Sequence, residues 1–287
     1  LFLAYPEIPV WEMGLEENLR SGWEASLPRT AQKLAAVREV KDSINPRIKL
    51  AYQIADDTGK TLETFLKSDA SDYVDIISIH PYAWPDFKTP DVWLDPLLAK
   101  VRRLEATYSK NLPVWFTEVG APTNDAGVQL YSGSSLVSGI SPQEQADYLT
   151  KVYATALNHG VEKIFWYEYE DSCSTPSDVE CHFGLKYQDG KPKPGYFAYQ
   201  ATSDCVGSKN PAGERTRGIT RISSFVGKSG ECDVVWNYPD SKTAFPLSAL
   251  AATSRDVQAF DVTGHPLATT HDEVPITGSP VFLHISR

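Results

Sequence analysis

The sequence predicts an α/β fold of parallel strands and helices, followed by a small antiparallel β domain. Two observations carry this prediction. In the first two thirds of the chain, short apolar segments alternate with amphipathic segments, which is typical of a parallel β/α architecture. From about Cys205 onward, short alternating segments are separated by turns rich in Gly, Ser and Thr. The length of 287 residues fits one large domain with a smaller one.

The elements of the first part follow from hydrophobic pattern and from the polar residues that bound each segment. Five buried strands are predicted at residues 8–13, 48–53, 74–80, 113–119 and 164–169. Helices are predicted at residues 28–43, 94–108 and 142–159, with a short one at 58–67. The segment 82–95 is rich in Pro, Trp and Asp, so we expect a functional loop there.

The second part is predicted to be a β-sandwich domain over residues 204–287, after a catalytic domain over residues 1–203. Its clearest strands are residues 234–238, 257–261 and 280–285. Gly, Pro, Asn and charged residues cluster at 203–217, which predicts a linker.

Composition and charge exclude several classes of protein. The net charge of −10, with no basic run, argues against nucleic acid as a partner. No stretch approaches the roughly 20 apolar residues that a membrane span needs. No phosphate-binding or dinucleotide-binding glycine motif is present, and the six histidines lack zinc-site spacing. We therefore expect no cofactor and no metal. The aromatic content of 11% suits sugar faces and cores alike.

Four cysteines allow two disulfides, with Cys173–Cys181 and Cys205–Cys232 as the expected pairs because each pair brackets a polar region. The alternative is a cytosolic protein with four reduced thiols. Because no Cys-x-x-Cys or Cys/His spacing indicates zinc, the sequence favours an oxidised, secreted or periplasmic protein.

Two glutamates lie where the strands of a parallel β/α barrel end and where such folds place their chemistry. Glu118 ends the apolar run that starts at Pro113, and Glu16 lies just after the first strand in a segment with three glutamates. A carboxylate that caps a helix or pairs with lysine is the structural alternative. If the two carboxyl groups face each other about 5 Å apart, they form the pair of a retaining glycosidase, whereas about 6.5–9.5 Å indicates inversion.

These residues also resemble a known family. The segment Thr117-Glu118-Val119-Gly120 is similar to the nucleophile segment of retaining β-glycosidases of glycoside hydrolase clan A, nearest to family 39. Their acid/base motif, Glu-x-Trp-Asn-Glu-Pro-Asn, is matched at Glu12, Glu16 and Asn18. The resemblance covers about residues 8–200. It implies that Glu118 is the nucleophile and that Glu16 is the acid/base, although Leu15 stands where the family has asparagine.

In this family the acid/base follows the fourth barrel strand, so the resemblance implies that the first three β/α units are absent. The expected fold is an incomplete (truncated) TIM-type β/α barrel of about five parallel strands. Such a barrel has open edges, so we expect a homo-oligomer that covers them.

Six further residues are candidates for substrate binding: His80, Tyr82, Trp84, Trp166, Glu168 and Gln53. The resemblance places His80 and Tyr82 beside the sugar or the nucleophile and Trp166 beneath the cleaved sugar. Glu168 or Asp171 is the alternative acid if Glu16 is misassigned. A core histidine and aromatic packing are the structural alternatives for these residues.

The sequence thus predicts a retaining glycosidase that cleaves a β-linked glycoside, with β-galactoside or β-xyloside as family-level expectations. Two alternatives stay open. One is an inert carbohydrate-binding or scaffold protein derived from such an enzyme, and the other is one half of a heteromeric glycosidase.

Overall fold

The structure, a computed structural model, describes residues 1–56, 58–87, 89–125, 127–250, 256–269 and 272–286. Contacts within the chain define two compact units. The first comprises Leu1–Tyr82, Asp95–Val119 and Val161–Phe165, and the second comprises Ala83–Leu94, Gly120–Gly160 and Trp166–Arg287. The predicted domain boundary at residues 203 and 204 stays a prediction.

The first two thirds of the chain alternate strands and helices as predicted. The strands are β1 (Val10–Met13), β2 (Lys49–Ala55), β3 (Ile76–His80), β4 (Val114–Val119), β5 (Leu130–Ser132), β6 (Ser135–Val137) and β7 (Val161–Trp166). The helices are α1 (Trp23–Ile44), α2 (Lys60–Leu66), α3 (Pro90–Thr107), α4 (Pro142–Asn158) and α5 (Pro194–Val206).

A five-stranded parallel sheet in the order β1-β2-β3-β4-β7 carries the candidate site. Its strands overlap the five predicted ones, and β3 is buried at every position, as expected for a parallel strand covered on both faces. The sheet and its helices fit part of an α/β barrel. Because all five strands run the same way, their carboxyl ends lie at one edge of the sheet, which is where Glu16, His80 and Glu118 occur.

Several element boundaries differ from the prediction. Helix α3 begins at Pro90, four residues before the predicted start, so it includes the last part of the loop expected at 82–95. The last strand was expected at 164–169 but runs over Val161–Trp166, because this edge strand tolerates the exposed charges of Glu162 and Lys163. Helix α1 begins at Trp23, five residues before the predicted start. The buried side chains of Trp23 and Leu27 extend it past Pro28.

Helix α4 begins where its sequence indicates. Ser141 Oγ accepts a hydrogen bond from the backbone N–H of Glu144, and the Glu144 carboxylate accepts one from the backbone N–H of Ser141. This capping box, with Pro142 at the first helical position, satisfies amide groups that would otherwise lack a partner.

The last third of the chain is a β domain, as predicted. Its strands are β8 (Asn210–Arg217), β9 (Thr220–Gly227), β10 (Gly230–Asn237), β11 (Thr243–Pro246), β12 (Val257–Phe260), β13 (Pro266–Leu267), β14 (Glu273–Ile276) and β15 (Val281–Ile285). An antiparallel sheet in the order β13-β12-β15-β10-β9-β8 shares a buried core with the two-stranded antiparallel sheet β11-β14. Val235, Phe245 and Ile276 contribute to this core.

The predicted linker at 203–217 is wrong. These residues form the end of α5 and the strand β8, which pairs with β9 at the edge of the larger sheet. Pro211 and Gly213 mark a bulge in this pairing. Such residues are tolerated on an edge strand because one side of its backbone needs no strand partner. The composition of residues 203–217 is therefore that of a linker although the segment forms a helix end and an edge strand.

Both predicted disulfides are present. Cys173 pairs with Cys181, and Cys205 on α5 pairs with Cys232 on β10. The second disulfide lies in a buried cluster with Trp236 and Phe225. Among the described residues, no helix combines the length and the apolar character needed to cross a membrane.

We predict that the two disulfides differ in their contribution to the free energy of unfolding. They close loops with sequence separations of 27 and 8 residues. Chain entropy then gives about 3.5 kcal/mol for Cys205–Cys232 and about 2.5 kcal/mol for Cys173–Cys181. Urea unfolding of the two double alanine variants, each compared with the wild type, measures both values. A larger loss for the Cys173–Cys181 pair would contradict the expectation.

Candidate active site

The backbone that carries Glu16 adopts an unusual conformation. Glu16 has φ 44° and ψ 41°, in the left-handed region, directly before a short 3-10 turn over Glu17–Leu19. Several contacts hold this turn to strand β2, among them a hydrogen bond from the Tyr52 hydroxyl to Glu17 Oε2 (3.1 Å). The Asn18 side chain exchanges hydrogen bonds with the backbone of Ala55 (2.8 and 3.0 Å), and the Glu16 N–H donates to Gln53 Oε1 (3.1 Å). A non-glycine residue in this region is strained, and such strain concentrates at functional sites.

Two carboxylates and one imidazole meet at the carboxyl end of the sheet. His80 Nδ1 lies 2.9 Å from Glu16 Oε1 and 3.4 Å from Glu118 Oε2. One ligand atom from each of these three side chains lies within 4.8 Å of the other two. The imidazole is fully buried, whereas the two carboxylates keep about 30% of their surface exposed. The histidine thus comes from the protein interior and the carboxylates face outward.

Glu118 lies one residue before the end of strand β4, in a half-buried position. Tyr82 donates a hydrogen bond from its hydroxyl to Glu118 Oε2 (3.1 Å). Burial raises the pKa of Glu118 above its usual value. The nearby His80 and the Tyr82 hydroxyl oppose this rise, while the charges of Glu16 and Glu12 add to it. Tyr82 therefore stabilises the ionised form of this carboxylate.

Gln53, predicted to bind a sugar hydroxyl, has both polar atoms of its amide engaged by the protein. Its Oε1 accepts from the Glu16 N–H, and its Nε2 lies 2.7 Å from His80 Nε2. The side chain is 4% exposed. The same amide nitrogen lies 3.4 Å from His80 Nδ1, so it contacts the imidazole over its ring, and Gln53 links the strained backbone of Glu16 to His80.

Sequence reasoning missed a chain of hydroxyl groups behind the histidine. Thr117 Oγ1 lies 3.0 Å from His80 Nε2 and contacts Ser78 Oγ, which in turn contacts a carboxylate oxygen of Glu12. Ser78 and His80 are two residues apart on β3 and therefore share one face of the strand. This spacing of two residues was the only feature of the sequence that could have placed Ser78 near His80 in the site.

Three predicted site residues belong to the second compact unit. Trp84 is 37% exposed and meets Phe87 edge to face, and Trp166 meets Tyr148 in the same way. Burial raises the pKa of Glu168. Their contacts with substrate stay predictions. Asp171, the other alternative acid, accepts hydrogen bonds from Lys193 Nζ and from the Gly184 N–H, both at 2.8 Å.

The cluster of Glu16, His80 and Glu118 offers ligand atoms of the kind that divalent transition metals bind. Two carboxylates and an imidazole bind such ions, provided that the ligating nitrogen carries no hydrogen. Whether His80 Nδ1 carries a hydrogen therefore decides between a hydrogen bond to the carboxylates and the binding of a metal ion.

The fold is similar to that of known glycoside hydrolases. A family 39 glycoside hydrolase from the gut symbiont Bacteroides cellulosilyticus WH2 matches with a TM-score of 0.77 and 21% identity, over 99% of this chain and 60% of that one. A glucosidase from Croceicoccus marinus matches with a TM-score of 0.63 and 14% identity, over 96% and 68% of the two chains. The GH51 α-L-arabinofuranosidase from Thermotoga petrophila RKU-1 matches with a TM-score of 0.61 and 12% identity, over 96% of this chain and 66% of that one.

These likenesses confirm that the fold is of the type that the sequence resemblance implied. The chain spans about 60% of the length of the family 39 structure. No protein-family model and no curated protein matches the sequence.

We predict that glycine at position 16 is better tolerated by the fold than alanine. Both changes remove the carboxylate, but only glycine adopts a positive φ without steric cost. Glu16→Gly is expected to be about 1 kcal/mol more stable than Glu16→Ala in urea unfolding. As a control, the same pair of changes at Glu24, inside helix α1, should reverse the order because glycine destabilises helices. If the two Glu16 variants were equally stable, the prediction that the backbone at residue 16 is strained would be wrong.

We also predict that Tyr82→Phe raises the pKa of Glu118. In the wild type, the Tyr82 hydroxyl donates to the Glu118 carboxylate and stabilises its charged form. Without this hydroxyl, Glu118 is protonated more easily. A charge-assisted hydrogen bond at a half-buried site corresponds to a pKa change of about 1. Carbon-13 NMR titration of the carboxyl group measures it. Tyr73→Phe, before the opposite end of β3, is the matched control and should leave this pKa unchanged.

Proposed function

We propose that this chain is a retaining glycosidase of β-linked glycosides in which Glu118 is the nucleophile and Glu16 is the general acid/base. One observation carries the proposal. Carboxylate oxygens of Glu16 and Glu118 lie within 4.8 Å of each other and of His80 Nδ1. Retaining enzymes hold their two carboxyl groups about 5–5.5 Å apart, whereas inverting enzymes need room for a water molecule. The similarity in fold to glycoside hydrolases supports the same reaction class.

The chemistry needs one carboxylate and one carboxylic acid. Glu16 protonates the departing glycosidic oxygen while ionised Glu118 attacks the anomeric carbon and forms a glycosyl ester. Glu16 then removes a proton from water, and the water displaces Glu118. Tyr82 and His80 support the ionised state of Glu118 against the effect of burial. Because burial raises the pKa of Glu118, we expect kcat/KM to fall on acidification at a higher pH than the ordinary pKa of a glutamate would give.

Several narrower features belong to the same proposal. Substrates are β-galactosides or β-xylosides, with Trp166 beneath the cleaved sugar and with Trp84 and Glu168 as further contacts. The two disulfides and the net charge of −10 are in keeping with a secreted or periplasmic protein. Within the described residues, β1 and β7 each pair with a single strand of the sheet, so we propose self-association that covers these edges.

The test is hydrolysis of a panel of nitrophenyl β-glycosides by the wild type, Glu16→Ala and Glu118→Ala, with and without azide. We expect both variants to lose activity by at least about 10³-fold, since each removes a group that acts in the transition state. Azide should give a glycosyl azide of inverted configuration with Glu118→Ala and of retained configuration with Glu16→Ala.

Glu17→Ala is the matched control, because Glu17 directly follows Glu16 and accepts a hydrogen bond from Tyr52 instead. It should keep wild-type rates within a few-fold. Loss of activity in Glu168→Ala but not in Glu16→Ala would reassign the acid. A folded wild-type chain that is inactive across the panel would contradict the proposal. It would favour an inert carbohydrate-binding protein or one half of a heteromeric enzyme, which the mass of the native particle distinguishes.

A further inference from the structure

We propose that Glu12 is a positioning residue that acts through the hydroxyl groups of Ser78 and Thr117. It holds the ring hydrogen of His80 on Nε2. The hydrogen between His80 Nδ1 and Glu16 is then an additional proton, which Glu16 donates to the leaving group. The catalytic role of this proton rests on the proposed glycosidase function. The position of the ring hydrogen does not, and it is measured separately below.

The chain of hydroxyl groups behind His80 ends at a carboxylate, which fixes the direction of its hydrogen bonds. Ser78 Oγ donates to Glu12 Oε1, because an ionised carboxylate can only accept. A hydroxyl group has a single hydrogen. Ser78 therefore has no hydrogen left for its contact with Thr117 Oγ1, and in that contact Thr117 is the donor.

The same count of hydrogens assigns the hydrogen of the imidazole. Because Thr117 donates its only hydrogen to Ser78, its contact with His80 Nε2 (3.0 Å) needs a hydrogen from the ring. The amide nitrogen of Gln53 lies 2.7 Å from Nε2 and 3.4 Å from Nδ1, over the ring, so it leaves the edge of the ring at Nε2 to Thr117. The hydrogen of a neutral imidazole here is therefore on Nε2, and Nδ1 offers a lone pair.

The contact on the other side of the ring then needs a second hydrogen. His80 Nδ1 lies 2.9 Å from Glu16 Oε1. A lone pair that faces a carboxylate oxygen at this distance is repelled, whereas a hydrogen between the two atoms makes a charge-assisted hydrogen bond. Glu16 and His80 together therefore carry one proton more than a carboxylate and a neutral imidazole. On Nδ1, this proton gives the ring the positive charge with which His80 opposes the rise in the pKa of Glu118.

The additional proton is placed where the proposed reaction needs it. It moves to the glycosidic oxygen as the bond between that oxygen and the anomeric carbon breaks, and the electron pair of the bond stays on the departing oxygen. Glu16 is then ionised and faces the lone pair of His80 Nδ1. Because this arrangement is unfavourable, Glu16 readily takes a proton from the water that attacks the glycosyl ester. That transfer restores the hydrogen between Glu16 and Nδ1.

Removal of the Ser78 hydroxyl tests the position of the ring hydrogen. In Ser78→Ala, Thr117 loses the oxygen to which it donates and can donate to His80 Nε2 instead, so the ring hydrogen moves to Nδ1. Nitrogen-15 NMR distinguishes a ring nitrogen that bears hydrogen from one that does not, and His80→Asn identifies the signals of His80. We expect Nε2 with hydrogen in the wild type and without it in Ser78→Ala and Glu12→Ala. A wild-type Nε2 without hydrogen would overturn the inference, as would an Nε2 that keeps its hydrogen in both variants.

Ser71→Ala is the matched control. Ser71 is a buried serine of the same compact unit, and its hydroxyl donates to backbone carbonyl groups. This variant should leave the imidazole signals of His80 unchanged. If it alters them as Ser78→Ala does, the alteration reports the loss of any buried hydroxyl, and the inference is wrong.

Two leaving groups test the catalytic role of the proton. Phenyl glycosides need a proton on the departing oxygen, whereas dinitrophenyl glycosides release a stable anion and need little acid catalysis. We expect Ser78→Ala and Glu12→Ala to lower kcat/KM for phenyl glycosides by about 10-fold or more, and for dinitrophenyl glycosides by much less. Equal losses with both leaving groups would indicate a general disturbance of the site and would contradict the role of Glu12.

The outcomes distinguish this inference from the proposed function. If the NMR result holds and the wild type hydrolyses no glycoside, the proposed function fails while the position of the ring hydrogen stands. If the wild type is a glycosidase and His80 Nε2 bears no hydrogen, the role of Glu12 fails while the proposed function stands.

Discussion

One buried imidazole in contact with two carboxylates is the interaction on which the candidate site depends. Glu16 and Glu118 approach within 4.8 Å, a distance at which two negative charges in a partly dry site repel each other strongly. His80 lies between them with no exposed surface, so its hydrogen bonds are not exchanged with water. The site depends on this contact, because it allows the two carboxylates to remain adjacent without requiring both to be protonated.

The parallel sheet supplies the geometry for that contact. His80 and Glu118 lie at the ends of neighbouring strands, and Gln53 lies on the next strand along. Backbone register fixes these three positions before any side chain is considered: Gln53 pairs with Ser78 and Ser78 with Trp115. Glu16, by contrast, lies beyond the end of β1 and is positioned by side-chain contacts from Asn18 and Gln53. One carboxylate is thus held by the sheet and the other by a turn attached to it.

The sequence predicts much of this arrangement, for identifiable reasons. Apolar runs bounded by polar residues locate the five strands, and cysteine placement predicts both disulfides. Glu118 is conspicuous because an acid ends an otherwise apolar segment. Composition fails at edge strands: Glu162 and Lys163 hide the start of β7, and Pro211 and Gly213 hide β8. The role of Gln53 depends on a backbone N–H 37 residues away, and no local pattern encodes that contact.

The left-handed backbone at Glu16 also has an evolutionary meaning. A glutamate is a poor choice for that conformation, and glycine or asparagine would satisfy the backbone better. Its presence indicates that a carboxylate at this point is favoured against the local preference of the chain. In a descendant that no longer needs the carboxylate, mutation would move this position toward glycine or asparagine without loss of fold. The identity of residue 16 in related chains would thus separate those that keep the chemistry from those that keep only the architecture.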